Sequence, residues 1–381
     1  METGVRFNTA EVLPNITTLA SVINSINVLR ILSDIKLEFD GGDYITATTA
    51  NMETWLSMRL KVIGSCAELS PFCINAYYFL KALRNLPNVD VTMTVSEEKH
   101  TVTCNYGIGH FTMPFEKASE FPEPKMSMEG AFEFMVSDIL IAKAIEKTNF
   151  AVANDQLRPI MNGIHFDFHN DAMTVASSDG QKLVRYRDTT IKHNDNDTYK
   201  LTIPSKPCTI IHDVLSLSAS ENEQKKVRFA FTDNAATING DGFDITTRLI
   251  DGRYPNYESV IPKESTSLAI VNKDALCQAL KRVLPMGSTT SELVSMEFKK
   301  GRVVINAEDI DFGKSASEIV ACEFSGNELS IGFKGSSMIQ VLSNLDSDNV
   351  SIEMSEPSRA AIVYANDKDT YLSLIMPMLL Q

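Results

Sequence analysis

The sequence predicts an α+β fold of three similar domains, each with two helices and several antiparallel strands. Two observations predict it. The chain has 381 residues, a length that allows two or three domains at roughly 150 residues each. Three kinds of landmark also recur at intervals of about 130 residues, the size of a domain and too long for a solenoid unit.

The first landmark comprises Phe7–Leu13, Phe134–Leu140 and Ile270–Leu276. Each has an apolar residue, a polar or acidic start signal, then apolar residues at helical spacing, and so reads as a short helix opening a unit. The second comprises the helical patterns Ala76–Leu86, Lys206–Leu217 and Lys334–Leu345. Apolar strand-like pieces precede them, such as Leu201–Pro204 and Leu329–Phe333. Alternating strand patterns follow at Val89–Val95, Val227–Phe231 and Val350–Met354. The third comprises Phe111–Phe115, Phe243–Thr247 and Tyr371–Ile375, strands with a proline in or soon after them. Boundaries fall in the polar stretches Glu120–Met128 and Ile261–Ser267, near Ser127 and Lys263. The expected domains are therefore 1–127, 128–263 and 264–381.

Hydrophobic residues make up 44% of the chain and charged residues 22%, enough to bury a large core, which excludes disorder and mini-protein scaffolds. No apolar run approaches the ~20 residues of a membrane helix. The N-terminal METGVRFNTAEV lacks a basic region followed by an apolar stretch, so no signal peptide is expected and the expected address is the cytoplasm. None of the six cysteines forms a Cys-x-x-Cys pair. Zinc-ribbon and thioredoxin motifs are thus absent, and reduced, mostly buried thiols are expected. With 35 basic against 49 acidic residues the net charge is −14. That balance argues against a simple nucleic-acid binder unless the cations cluster locally.

Motifs for chemistry are sparse. His165, Asp167 and His169 alternate along a strand-like stretch, so they share one face and offer two imidazoles and a carboxylate to zinc or iron. The competing reading is a half-exposed strand with Phe166 and Phe168 inward. Gly107-x-Gly109 and Gly240-x-Gly242 lack the third glycine and following helix of a dinucleotide fingerprint and read as turns. Asp309 and Asp311 read as solvated loop charges. The polar loop Asp188–Thr198 fails as a calcium loop from Asp195, because Lys206 stands where the closing Glu belongs. No Walker A, Gly-x-Ser-x-Gly or His-Glu-x-x-His occurs. No catalytic residues and no cofactor are expected. The tail Leu374–Leu380 is apolar almost to its end, and either docks as an edge strand or helps to form an apolar groove.

Several segments resemble the bacterial DNA polymerase III β subunit family, the sliding clamps. Arg248–Pro262 (RLIDGRYPNYESVIP) is similar to the family's Leu-x-Asp-Gly-Arg-Phe-Pro-x-Tyr-x-x-Val-x-Pro. Leu157–Gly163 (LRPIMNG), Val175–Leu183 (VASSDGQKL) and Met376-Pro377-Met378 resemble further family segments, in order and at matching spacing. The resemblance covers essentially the whole chain. It implies three DNA-clamp domains forming half of a six-domain ring, closed by a head-to-tail homodimer, with double-stranded DNA threading the hole. The implied function is that of a processivity factor without an active site, which tethers the replicative DNA polymerase. A clamp loader would open the ring, since the chain has no nucleotide motif. A clamp-like paralogue that has lost DNA loading is the alternative within the family; a metal enzyme on His165, Asp167 and His169 is the alternative outside it.

The resemblance implies a groove for linear peptides of the Gln-Leu-x-Leu-Phe type from polymerases, the clamp loader, repair polymerases and ligase-type clients. Its residues would be Arg158, Met161, Ser178, Gly180, Gln181, Lys182, Leu183, Pro255, Val260, Leu374, Ile375, Met376, Pro377 and Met378. Leu183, Val260, Ile375 and the methionines would offer a deformable apolar surface. Gln181 and Lys182 replace the family's usual His and Arg, Ser259 and Leu379 stand where Arg is common, and Gln381 extends the tail; the rim is expected to be less basic. The implied dimer seam sets Phe111 and Met113 against Pro285 and Met286 of the other subunit.

Charge in the six expected helices, Thr9–Asn24, Ala76–Leu86, Ser137–Val152, Lys206–Leu217, Asn272–Leu284 and Lys334–Leu345, gives a separate expectation. The basic residues there are Lys81, Arg84, Lys143, Lys147, Lys206, Lys273, Lys281, Arg282 and Lys334, and the acidic ones Glu11, Asp138, Glu146, Asp213 and Asp274. The helices thus carry +4 and the rest of the chain −18. A basic lining inside an acidic exterior would accept DNA in the hole and repel it elsewhere.

Overall fold

The computed structural model describes residues 4–39, 41–66, 69–169, 171–191, 198–218 and 225–380. Three repeats of one element order run along it. The first is β1 (Gly4–Asn8), α1 (Thr9–Val22), β2 (Asp34–Phe39), β3 (Tyr44–Ala50) and β4 (Thr54–Lys61), then β5 (Phe72–Asn75), α2 (Ala76–Arg84), β6 (Asp90–Ser96), β7 (Thr101–Tyr106) and β8 (Gly109–Lys117). The second is β9 (Phe132–Ser137), α3 (Asp138–Thr148), β10 (Gly163–His169), β11 (Ala172–Ser178) and β12 (Lys182–Asp188), then β13 (Tyr199–Pro204), α4 (Ser205–Ser218), β14 (Lys226–Phe231), β15 (Ala235–Gly240) and β16 (Phe243–Arg248). The third is β17 (Ser267–Asn272), α5 (Lys273–Val283), β18 (Leu293–Lys299), β19 (Arg302–Asp309) and β20 (Lys314–Ser325), then β21 (Leu329–Lys334), α6 (Gly335–Ser343), β22 (Asn349–Met354), β23 (Ala361–Tyr364) and β24 (Tyr371–Ile375).

The opening landmarks differ from expectation in one respect. Phe7, Phe134 and Ile270 lie on strands, and the helices start only at Thr9, Asp138 and Lys273. The physical reason is capping. The Asn8 side chain accepts from the Ala10 amide at 2.9 Å and Asn272 from Ala275 at 2.9 Å, so in the first and third patterns the polar residue ends a strand as it starts a helix. Asn75 does the same for α2, accepting from Tyr78 at 3.2 Å.

The chain divides into two compact units. Residues 1–143 and 206–251 form one and residues 144–205 and 252–381 the other. The first holds a twelve-stranded antiparallel sheet in the order β1-β6-β7-β8-β5-β2-β3-β4-β16-β15-β14-β9. The second holds another, β13-β10-β11-β12-β24-β23-β22-β17-β20-β19-β18-β21. The middle repeat contributes strands to both units. Within the first, β4 pairs with β16, for example Thr54 opposite Thr247. Within the second, β12 pairs with β24, for example Lys182 opposite Ile375. Strands of successive repeats thus join into one continuous sheet.

Each helix buries one face. In α5, Leu276, Leu280 and Val283 are fully buried at the i, i+4, i+7 spacing of an apolar stripe. Each contributes about 1.5–3 kcal/mol by leaving water. They join Met296, Phe298, Ile305, Phe333 and Met338 in the core of the third repeat. All six cysteines are buried and free of disulfides, and burial pushes the Cys73 and Cys104 thiols up to about 12. Among the described residues no helix is long and apolar enough to cross a membrane.

Candidate functional site

The second unit brings most of the sequence-selected groove residues together. The β11–β12 hairpin supplies Ser178 to Leu183. Its turn is fixed by Asp179, whose carboxylate accepts from the Gln181 and Lys182 amides, both at 2.8 Å. The Ser178 hydroxyl donates to the Lys182 carbonyl at 2.8 Å and accepts from the Gly180 amide at 3.1 Å. Gly180 has φ +88°, a left-handed conformation that suits glycine. A Cβ there would also lie 3.3 Å from the Arg158 guanidinium.

Arg158 comes from the neighbouring loop. Its Nε donates to Asp155 at 2.8 Å, and this bond holds the Asp155 carboxyl below its ordinary pKa. Asn162 closes the same loop, accepting from the Asp155 amide at 2.8 Å and donating to its carbonyl at 3.0 Å. The loop delivers Ile160 to the apolar cluster that holds Leu183 of the hairpin.

Beneath lies a small apolar cluster of Ala176, Leu183, Tyr254, Tyr257 and Leu374, with Ile160 and Ile261 packed against it. Met161 is buried too but is not part of this cluster; Leu183 and Leu374 are almost fully buried and form a floor. Their chain neighbours are open to solvent: Pro255 is exposed, Val260 is 54% exposed and Met376 44%. Pro377 and Met378 are half-buried. The tail docks rather than dangles. The Met376 amide donates to the Gln181 carbonyl and the Met378 amide to the Gly332 carbonyl, both at 2.8 Å. Gly332 permits this approach, because a Cβ there would sit 2.6 Å from the Met378 carbonyl oxygen. Gln381 lies outside the described residues.

Four sequence-based expectations need correction. Ile375 is 1% exposed and belongs to the core of the third repeat. Alternation along β24 sends Leu374 to the floor and Ile375 to the opposite face, so Ile375 offers no open surface. Lys182 is buried with its ammonium on Asp179 at 2.6 Å, so it is not a free rim cation. Lys147 is also buried, donating to the Asn344 carbonyl at 3.0 Å and pairing with Asp346 at 2.6 Å. It joins α3 to the end of α6 and is not an open cation on a helix face. Asp309 is buried and paired with Lys314 at 3.1 Å, not solvated.

The remaining helix cations fall into two groups. Lys206 donates to the Val22 carbonyl and Asn24 at the end of α1, at 3.0 and 2.8 Å, and burial lowers its pKa. Lys273 donates to the Leu345 carbonyl, Arg282 makes two bonds to Glu318, and Lys334 lies 3.6 Å from Glu292. Lys81, Arg84, Lys143 and Lys281 have no carboxylate partner among the described residues. Arg84, Lys143 and Lys281 are exposed, and Lys81 lies over the Tyr77 ring.

His165, Asp167 and His169 are engaged by protein groups. Phe166 and Phe168 are fully buried, and on the opposite face of β10 His165 and Asp167 are buried too, with only His169 part-exposed. The His165 ring stacks on Tyr254 with centroids 4.5 Å apart and planes at 10°. Its Nδ1 lies 3.1 Å from the Thr202 hydroxyl. Burial pulls this imidazole down to about 4. Asp167 lies 3.0 Å from Lys200 and 3.1 Å from His169, and accepts from the Tyr257 hydroxyl at 3.4 Å. Among the described residues no three His, Cys, Asp or Glu side chains are arranged to hold a metal. Tyr254 and Tyr257 were visible in RYPNY but gave no signal of what they cover. Residues 192–197 of the polar loop lie outside the described residues.

At the expected seam, Met113 is buried and Phe111 half-buried on β8, while Pro285 and Met286 are exposed beyond α5.

Three family models together span the chain. They describe the N-terminal, central and C-terminal domains of the DNA polymerase III beta subunit and match residues 3–126, 135–256 and 258–379. A beta sliding clamp of Pseudomonas aeruginosa is 24% identical over 94% of this chain and 95% of its own length. One of Streptococcus pneumoniae is 25% identical over 96% of both. Among solved structures, a DnaN sliding clamp from Pseudomonas aeruginosa bound to griselimycin superposes with a TM-score of 0.89, at 22% identity and full coverage of both chains. This chain belongs to the DNA polymerase III beta subunit family, the beta sliding clamps.

Proposed function

We propose that two copies of this chain close head to tail into a ring of six domains around duplex DNA, and that the ring tethers the replicative polymerase without chemistry of its own. The domains would be 1–127, 128–263 and 264–381, and the setting the cytoplasm. The observation that carries this reading is a pair of open strand edges. The fourth strand of one repeat pairs with the last strand of the next at β4–β16 and β12–β24. Their counterparts are β20 and β8. Among the described residues, 314–321 of β20 pair only with β19, and pairing to β17 begins at Cys322. Among the described residues, 109–114 of β8 pair only with β7, and pairing to β5 begins at Phe115. A second copy supplies the missing partner for each edge, and the rotation closes.

Open edges invite pairing with another chain. Here apolar side chains accompany them: Ile319 on β20 is 66% exposed, and Ile310 and Phe312 in its hairpin turn are more so. Phe111 and Met113 would meet this region together with Pro285 and Met286. Lys81, Arg84, Lys143 and Lys281 would face the DNA, with the other helix cations contributing field rather than direct contacts.

The apolar patch over Leu183 and Leu374 would take linear peptides of the Gln-Leu-x-Leu-Phe type from polymerases, the clamp loader, repair polymerases and ligase-type clients. Support comes from its buried floor, its open Val260, Pro255 and Met376, and a polar edge at Arg158 and Gln181. A clamp of the same fold is known bound to griselimycin.

Sedimentation equilibrium of the full chain tests the assembly. A species of twice the chain mass is expected, falling to monomer on Ile319→Asp. A wild-type monomer at micromolar concentration would contradict the reading.

A further inference from the structure

The strand β10 places two ionisable groups where apolar side chains would be easier to bury. Phe166 and Phe168 on its other face are fully buried, yet His165 and Asp167 are also nearly inaccessible. Buried polar groups of this kind add little stability over well-packed apolar ones, so their partners suggest what they do. Thr202 and Lys200 lie on the adjacent strand β13, and His169 on β10 itself. Leu201, whose backbone bonds to His165, also lies on β13; the aromatic partners Tyr254 and Tyr257 lie on one segment, residues 252–262. His165 stacks on Tyr254 and meets Tyr257 edge-on at 6.1 Å. Asp167 accepts from the Tyr257 hydroxyl. A third tie, Arg185 to Glu258 at 3.6 Å, holds the same segment.

That segment contributes Pro255 and Val260, the open apolar residues beside the floor. We propose that His165 and Asp167 are positioning residues for the peptide groove: through Tyr254 and Tyr257 they hold residues 252–262 so that Pro255 and Val260 are preset for the ligand. The inference rests on the groove reading above. A preset wall lowers the ordering cost of binding. Tyr257 is only 7% exposed and its hydroxyl is turned toward Asp167, so removing that hydroxyl deletes no contact on the open face.

The test uses the full chain and a fluorescein-labelled Gln-Leu-Ser-Leu-Phe peptide, with affinity read by fluorescence anisotropy. Amide hydrogen exchange over residues 252–262 is measured in parallel. Tyr257→Phe and Asp167→Ala should weaken binding about fivefold and raise exchange in 252–262 alone. Asp167→Asn keeps an acceptor for the Tyr257 hydroxyl and should recover most of the affinity. Affinities within twofold of wild type for Tyr257→Phe and Asp167→Ala would overturn the proposal while leaving the groove intact. So would a loss accompanied by raised exchange throughout the unit, or one that Asp167→Asn does not rescue. Absence of binding by the wild type would refute the groove reading, and the positioning role with it.

Discussion

Leu183 and Leu374 stand directly opposite one another across the β12–β24 junction, and each is less than 5% exposed. One residue pair therefore both seals the joint between successive repeats and floors the candidate groove.

Truncating Leu374 should affect both roles. Leu374→Ala leaves a cavity and should cost about 2–5 kcal/mol in urea unfolding. It should also weaken peptide binding, because Tyr254 and Ile160 lose their packing partner. Unchanged peptide affinity at lowered stability would remove Leu374 from the site.

The helix cations should separate into two classes. Lys81→Ala with Arg84→Ala removes exposed charge and should shorten residence on DNA while leaving the melting temperature within a degree or two. Lys147→Ala breaks the tie to Asn344 and Asp346 and should cost about 1–2 kcal/mol of stability, since Asp346 is largely solvated. Thermal melts and a DNA-retention assay on both variants check the division.

His165 should make the protein acid-sensitive. Its folded imidazole is lowered to about 4 from an ordinary 6.5, chiefly by burial. The unfolded chain therefore takes up the proton first as pH falls. The stabilisation is fully present above about pH 6.5 and is lost toward pH 4, at up to ~1.4 kcal/mol per unit. Relative to His165→Phe, the wild type should lose about 2 kcal/mol of stability from pH 7 to pH 5. A difference that does not change with pH would contradict the buried neutral imidazole.

The repeat was legible because its landmarks are local. Helical spacing at Ala76–Leu86 and alternation at Tyr371–Ile375 need no partner to be seen. The strand-to-helix switch at Asn8 was less legible, since the residues on either side of a cap are equally apolar. Side-chain parity misled at Ile375. A family groove names a stretch of chain, but alternation along β24 admits only every second residue to one face. Lys147 and Lys182 looked free because their carboxylates are set by folding. The burial of His165 and Asp167 was hidden for a related reason: their cover, Tyr254 and Tyr257, arrives from about 90 residues downstream. No periodicity within β10 reports it.

A ring held on DNA by topology is released when the DNA is cut, and retention on circular and linearised DNA separates enclosure from contact. The full chain is loaded onto nicked circular plasmid with the loader of its source cell, isolated by gel filtration, and the plasmid is then linearised. The protein should stay with the circle through high salt and leave promptly once the DNA has ends. Salt-sensitive binding that survives linearisation would contradict the ring, because it would mean attachment by contact and not by enclosure.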